Sequence, residues 1–148
     1  MIRLIVAVDE KGGISRHGHI PWDAPEDRKH FRLLTTGGVV VMGRANYEES
    51  VRRPLPARRN IVISRQSGLK IPGCEVYSDL KTALAQAEDI WVIGGASIYE
   101  QTLPLADEVY MTKIPGDYHC DRFFPSLENF TGKVHNFTVK NGVIASIA

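Results

Sequence analysis

An aspartate on the apolar side of a helix is the first residue in this chain with chemistry to offer. Asp23-Ala-Pro-Glu26 has the form of a helix start. Asp23 can cap, Pro25 is tolerated in the first turn, and Glu26 suits the positive helix end. In the helix that follows, Asp27, His30, Phe31, Leu34 and Thr35 recur at i, i+3, i+4, i+7 and i+8 and share one face. Arg28, Lys29 and Arg32 lie off that stripe. A carboxylate in line with Phe31 and Leu34 is costly unless something pairs with it. Position alone leaves two readings open. Asp27 adds favourable charge at the helix start and stays half exposed, or it faces a ligand beside Trp22 and Phe31. The second suits a flat heterocycle: a carboxylate accepts two parallel N–H bonds from an amidine-like edge while aromatic side chains cover the ring faces.

Three further stretches favour anions. Ile90-Trp-Val-Ile-Gly94-Gly95-Ala-Ser-Ile-Tyr99 reads as a strand, a Gly-Gly turn and a helix start, where bare backbone can approach a pyrophosphate. Val39-Val-Val-Met-Gly43-Arg44-Ala-Asn46 repeats the form, and the strand at 60–64 ends in Ser64-Arg65. Each is weak alone, since tight turns need glycine and lone arginines are often solvated. Together they point to a phosphorylated dinucleotide clamped by two arginines. No GxGxxG is present, so the usual dinucleotide fingerprint is missing.

The elements that must position these residues follow from apolar runs. Strands are expected at 4–8, 39–42, 60–64, 75–77, 90–93 and 108–114, and helices at 25–35, 47–51, 80–87 and 98–103. The alternation predicts an α/β fold: a single domain over 1–148 with a mostly parallel central β-sheet and helices on both faces. Residues 133–140, Asn141-Gly142 and residues 143–147 predict a C-terminal antiparallel hairpin on a type I′ turn. Ligands of such sheets sit beyond the carboxyl ends of strands. The glycine-rich run at 12–18 either connects two elements or moves as a lid that excludes water.

Bulk properties exclude several classes. With 148 residues there is room for one real core. Eighteen basic and 17 acidic residues give a net charge of +1, without the basic excess of a nucleic-acid or membrane-surface binder. Cys74 and Cys120 lack metal or CxxC spacing and read as free thiols in a reducing compartment. The run IRLIVAV is too short for a signal peptide or a membrane span. The five histidines show no ligand clustering, so no metal is expected.

With the acid of IPWDAPED (20–27) and the glycines of VIGGASIYEQ (92–101) in this order, the chain resembles the dihydrofolate reductase family. The motifs IPWDAPED (20–27), VVMGR (40–44), RPLPARRNIVISR (53–65), VIGGASIYEQ (92–101) and DRFFP (121–125) carry the resemblance, in order and over nearly the whole chain. It implies a dihydrofolate reductase-like fold and NADPH-dependent reduction of 7,8-dihydrofolate to tetrahydrofolate, with antifolate inhibitors competing for the site. It also implies a monomer working in the cytoplasm. By the resemblance, Asp27 binds the pterin 2-amino group and N3, Thr112 supports it, and Trp22 holds a water near the ring. Ile5, Phe31, Leu55 and Ile93 wall the substrate pocket, and Arg58 takes the glutamate α-carboxylate. Ala7, Ile14, Ile20 and Tyr99 surround the nicotinamide. Gly94, Gly95 and Ala96 match the pyrophosphate turn, with Gly43, Asn46, Ser64, Ser97 and Ile98 along the same cofactor wall. Arg44 and Arg65 match sites near the 2′-phosphate. Asp27 should have a raised pKa in the free protein, because desolvation disfavours its charged form.

The chain departs from the pattern in places. Ala45, Asn46 and Tyr47 stand where the family usually has a basic or polar residue, threonine and tryptophan; Asn46 could donate to a phosphate oxygen. Arg28 replaces an apolar residue and either reaches the glutamate tail or lies in solvent, with solvent preferred. An extra residue falls around Val51-Arg52-Arg53. The C-terminal end is shorter than usual, which exposes a sheet edge. Three other functions compete. A riboflavin-pathway pyrimidine reductase shares the fold, but PW-x-x-x-x-D and Arg58 argue against it. A non-catalytic binding module is opposed by the intact Asp27, Trp22 and Thr112. A Rossmann dehydrogenase lacks its fingerprint.

Overall fold

Strand β1 (Ile2–Val8) shows how this sheet acquires two cores. Its alternation sends Leu4, Val6 and Val8 to one face and Ile5 to the other. The computed structural model describes residues 1–147. After β1 come β2 (Gly13–Ser15), α1 (Pro25–Thr35), β3 (Val39–Gly43) and the single turn α2 (Arg44–Asn46), which runs into a π turn at Tyr47–Val51. Next are β4 (Arg59–Ile63), β5 (Glu75–Tyr77), α3 (Leu80–Leu84), β6 (Ile90–Gly94) and α4 (Ala96–Thr102), closed by a 3₁₀ turn at Leu103–Leu105. The chain finishes with β7 (Glu108–Lys113), β8 (Arg122–Phe123), β9 (Lys133–Lys140) and β10 (Val143–Ile147).

Eight strands form one sheet in the order β10-β9-β7-β1-β6-β3-β4-β5. All neighbours run parallel except β10, which is antiparallel to β9. Phe31 and Leu34 of α1 cover Ile5, Val40, Met42 and Val62 on one face. Ala83 of α3 with Ile98 and Tyr99 of α4 covers Leu4, Val41, Ile61 and Val92 on the other. The chain leaves β1, crosses to β3 and later returns β6 between them. Their carboxyl ends therefore part around a crevice.

The α/β class, the mostly parallel sheet and the hairpin agree with expectation. Asn141 and Gly142 have φ of 51° and 74°, as a type I′ turn requires. Several boundaries differ. The helix expected at 80–87 stops at Leu84. The Ala85 N–H is shared between the Lys81 and Thr82 carbonyls, the Gln86 N–H tightens to the Ala83 carbonyl, and the Gln86 carbonyl accepts from Arg59 Nη1 at 2.9 Å, so the helical ladder closes there. Asp23 does not cap α1. Ala24 holds that position, and Asp23 instead pairs with Arg28 at 2.7 Å in solvent. Residues 47–51 are helical, but as a π turn: Arg52 N–H reaches the Tyr47 carbonyl and Arg52 closes it at φ 66°.

The glycine-rich run is ordered. β2 pairs antiparallel with β8, Gly13 opposite Phe123 and Ser15 opposite Arg122. Arg16 and His19 exchange two backbone hydrogen bonds at 2.8 and 2.9 Å around His17 and Gly18, both at positive φ. That is a second two-residue hairpin turn, at the tip of the expected lid.

Candidate active site

The crevice opens into a cavity of about 1330 Å³. That exceeds the roughly 300–1,000 Å³ of a site for one drug-sized ligand, so it has room for two molecules side by side. Asp27 stands where α1 enters it. The Asp27 and Arg28 N–H groups both bond to the Ala24 carbonyl, fixing the first turn, and the half-buried carboxylate faces the cavity. Burial pushes its pKa up, as expected, while the Thr112 hydroxyl and the His30 imidazole oppose the shift. Thr112 is buried on β7 behind the acid, opposite Ala7 of β1, and does not itself line the cavity.

Around Asp27 the wall is apolar. Ile5 comes from β1, Phe31 from α1, Ile93 from β6 and Leu55 from the loop before β4. Trp22 lines the opening with its ring edge-on to Tyr118, centroids 5.4 Å apart. Tyr118 therefore braces the tryptophan, a role with no local sequence signal. Arg58 is held at the outer end of this pocket. Its Nε donates to the Pro56 carbonyl at 2.9 Å and its Nη1 to Thr35 Oγ1 at 3.1 Å, and its guanidinium sits 6.0 Å from the Phe31 ring. Arg28 is 65% exposed and paired with Asp23, and it also lines the outer part of the cavity.

The other half of the cavity is built from the three anion-favouring strand ends. Gly43 ends β3, and a methyl group added there would meet Ile98 at 2.9 Å. Gly94 ends β6 at φ 120°, with the Tyr99 ring 3.3 Å from where a side chain would start. The Gly94–Gly95 peptide bond is cis. Tyr99 is buried and donates to the Ile5 carbonyl at 2.6 Å; burial and then the Asp27 charge raise its pKa. Ala7, Ile14, Ile20, Ala96 and Ser97 complete this wall, Ile20 remaining 55% exposed at the lid.

The expected phosphate ligands are less free than their sequence implied. Arg44 Nε donates to Glu48 Oε1 at 2.8 Å and its Nη1 to Gln66 Oε1 at 2.5 Å. Asn46 Nδ2 donates to the Ile93 carbonyl at 3.3 Å and so braces β6. Arg65 lines the cavity and is exposed. Ser64 does not line it: the side chain is buried and its Oγ accepts from Gln66 N–H at 3.1 Å. Ser78 and Leu80, just past β5, extend the wall and were missed. Their signal was available, because they too follow the carboxyl end of a strand. Glu49, Gly18 and Arg122 also line the cavity. Nothing local in the sequence connects them.

Comparison with known proteins agrees with this geometry. The family description "Dihydrofolate reductase" matches residues 1–141. The chain is 39% identical over 137 residues to a dihydrofolate reductase of Bacillus subtilis, covering 90% of this chain and 81% of that protein. It is 44% identical over 116 residues to one of Mycobacterium tuberculosis, covering 77% and 71%. A solved dihydrofolate reductase from Enterococcus faecalis, complexed with NADP(H) and RAB-propyl, superposes with a TM-score of 0.80 at 34% identity over 86% of this chain and 79% of that one. The acid at the start of α1, the strand-end glycines and this similarity over most of its length agree, and the chain belongs to the dihydrofolate reductase family.

Proposed function

We propose that this chain reduces 7,8-dihydrofolate to 5,6,7,8-tetrahydrofolate with NADPH. The observation that carries the reading is the Asp27 carboxylate, raised in pKa by burial and set among Ile5, Phe31, Leu55 and Ile93. An acid there recognises a flat ring bearing an N–H pair, which a plain dinucleotide site does not require. The cofactor half fits NADPH. Gly43 and Gly94 leave bare backbone on the cavity wall where added carbons would collide, and Arg44 and Arg65 stand at the ends of β3 and β4.

Bound along Gly43 and Gly94 to Ile98, NADPH would supply hydride-transfer chemistry for pterin C6, with a proton taken up at N5. The protein's part is alignment, exclusion of water and charge. Asp27 accepts the 2-amino group and N3, and its charge favours the protonated pterin. Thr112 holds the carboxylate from behind. Trp22, fixed by Tyr118, holds the water through which the proton arrives. Phe31, Leu55 and Ile93 cover the ring and the benzoyl group, and Arg58 takes the glutamate α-carboxylate. Ala7, Ile14, Ile20 and Tyr99 line the nicotinamide side, and Gly94 to Ile98 the pyrophosphate side. The chain acts as a monomer in the cytoplasm. The free thiols of Cys74 and Cys120 fit a reducing compartment, and among the described residues no helix is long and apolar enough to cross a membrane.

Loss of NADPH absorbance with dihydrofolate tests the reading. Turnover should be clear with NADPH and weak with NADH. It should fall on the order of 10²-fold or more in Asp27→Asn. Folded wild type that binds both ligands without turnover would instead identify a binding module. Turnover of a ribosylamino-pyrimidine in place of dihydrofolate would identify the riboflavin-pathway reaction.

A further inference from the structure

The π turn at Tyr47–Val51 adds a residue to a helix at the mouth of the cavity, and such insertions recur at functional sites. It sends two consecutive carboxylates in different directions. Glu48 turns back along its own element to Arg44. Glu49 reaches across the opening. Its Oε2 lies 3.6 Å from Arg122 Nη1. It also lies against Gly18, where an added methyl group would meet that oxygen at 2.6 Å.

Both contacts belong to the lid. Arg122 is the β8 residue opposite Ser15 of β2, and Gly18, at φ 78°, forms the lid-tip turn with His17. The lid is already tied to the segment before β8 by Asp121, whose Oδ2 accepts the His17 N–H at 3.0 Å and whose own N–H reaches the Ser15 carbonyl. Those bonds join the lid only to its own bank of the cavity. Glu49 belongs to the opposite bank, after β3. Glu49, Gly18 and Arg122 all line the cavity, so their contact spans its entrance.

We propose that Glu49 is a positioning residue, a latch that holds the lid across the cavity entrance through Arg122 and Gly18. The ligand retained behind it is the cofactor, and that part rests on the reductase reading; the latch itself does not. Glu49 and Arg122 side chains are 39% and 50% exposed. An ion pair of that exposure is weak and screened by salt, so the lid opens readily and the effect is about two- to fivefold.

The test uses Glu49→Gln, Arg122→Gln, and the reversed pair Glu49→Arg with Arg122→Glu. In ligand-free protein, limited trypsin cleavage at Arg16 in the lid should speed up about two- to fivefold in each single variant. The reversed pair should return it towards wild type, and high salt should erase the difference. NADPH dissociation, followed by rapid displacement, should change in the same order and size. Cleavage and dissociation both at the wild-type rate in the single variants would overturn the latch. So would a reversed pair as fast as the singles, since the effect would then be loss of shape and not of charge pairing. If cleavage follows the expected order but no variant binds NADPH, the latch stands and the reductase reading fails.

Discussion

Asp27 is held in a state its surroundings disfavour. Burial raises its pKa above the unfolded value, so the folded chain holds this proton more tightly than the unfolded chain does. Above the folded pKa the carboxylate is ionised in both states and costs stability. Below the unfolded pKa it is neutral in both and costs nothing. Asp27→Asn should therefore melt at a higher temperature than wild type near neutral pH, and the advantage should vanish as pH falls through the acid range. Melting curves across that range check it; a lower melting temperature at neutral pH would show the charge to be well satisfied in the free protein. His30 shares the helix face one turn on. Its ring lies 4.5 Å from Phe137, its Nε2 is buried without a partner, and burial lowers its pKa. The Asp27 charge works against that lowering, and the imidazole in turn opposes the rise of the Asp27 pKa. At this scale the sequence was informative where chemistry is local. The periodicity of α1 located Asp27, and strand-end glycines located the second half of the cavity. Thr112 came only through the family resemblance. Glu49 and Arg122 carried no signal, because their meeting depends on a turn that adds one residue to a helix.

The lid is the element whose order was least legible. Three-residue β2 has no hydrophobic run, and its partner β8 lies far along the chain. Asp9 supplies the missing support. It is 2% exposed at the start of the lid and accepts N–H groups from Lys11 at 2.9 Å, Gly13 at 2.8 Å and Tyr118 at 3.0 Å. Burial alone would raise its pKa, but the backbone N–H groups of Tyr118, Gly13 and Lys11 bring it below the ordinary value. Its stabilisation is present above the unfolded pKa and lost as pH falls through the folded one. Asp9→Ala should cost on the order of 3 kcal/mol, since hydrogen bonds to a buried charge are lost and three donors are stranded. Hydrogen exchange should show the amides of Gly13 and Tyr118 released first. Unchanged protection there would mean that the β2–β8 pairing orders the lid unaided. By contrast β1, β3, β4 and β6 were legible because buried parallel strands leave continuous apolar runs.

Across the whole molecule, stability rests on two apolar layers and on an edge stapled by charge. Met42 is fully buried between β6 and β4, so Met42→Ala should cost about 2–5 kcal/mol in chemical denaturation. Near the hairpin edge, Glu108 joins Arg3 of β1 to His135 of β9 at 3.0 and 2.5 Å. The His135 hydrogen bond, then that from Arg3, lowers the Glu108 pKa against burial. Glu108→Gln should lose on the order of 1–3 kcal/mol near neutral pH, and the loss should shrink as acid protonates Glu108 in wild type. The hairpin itself was legible from Asn-Gly, and so was its weakness. Among the described residues β10 is an edge strand, with Val143 59% exposed. The fold class and the two halves of the cavity could thus be read from local pattern, whereas the cross-cleft contact required three dimensions.

In the proposed reaction, Asp27 sets the charge on which pterin reduction depends. The most direct test of this is the single-turnover hydride-transfer rate against pH, wild type beside Asp27→Asn. Wild type should hold its rate towards neutral pH. The variant should be slower there by on the order of 10²-fold or more and should recover as pH falls, when solvent protons replace what the carboxylate favoured. Two profiles of the same shape, with the variant near the wild-type rate, would contradict the role assigned to Asp27.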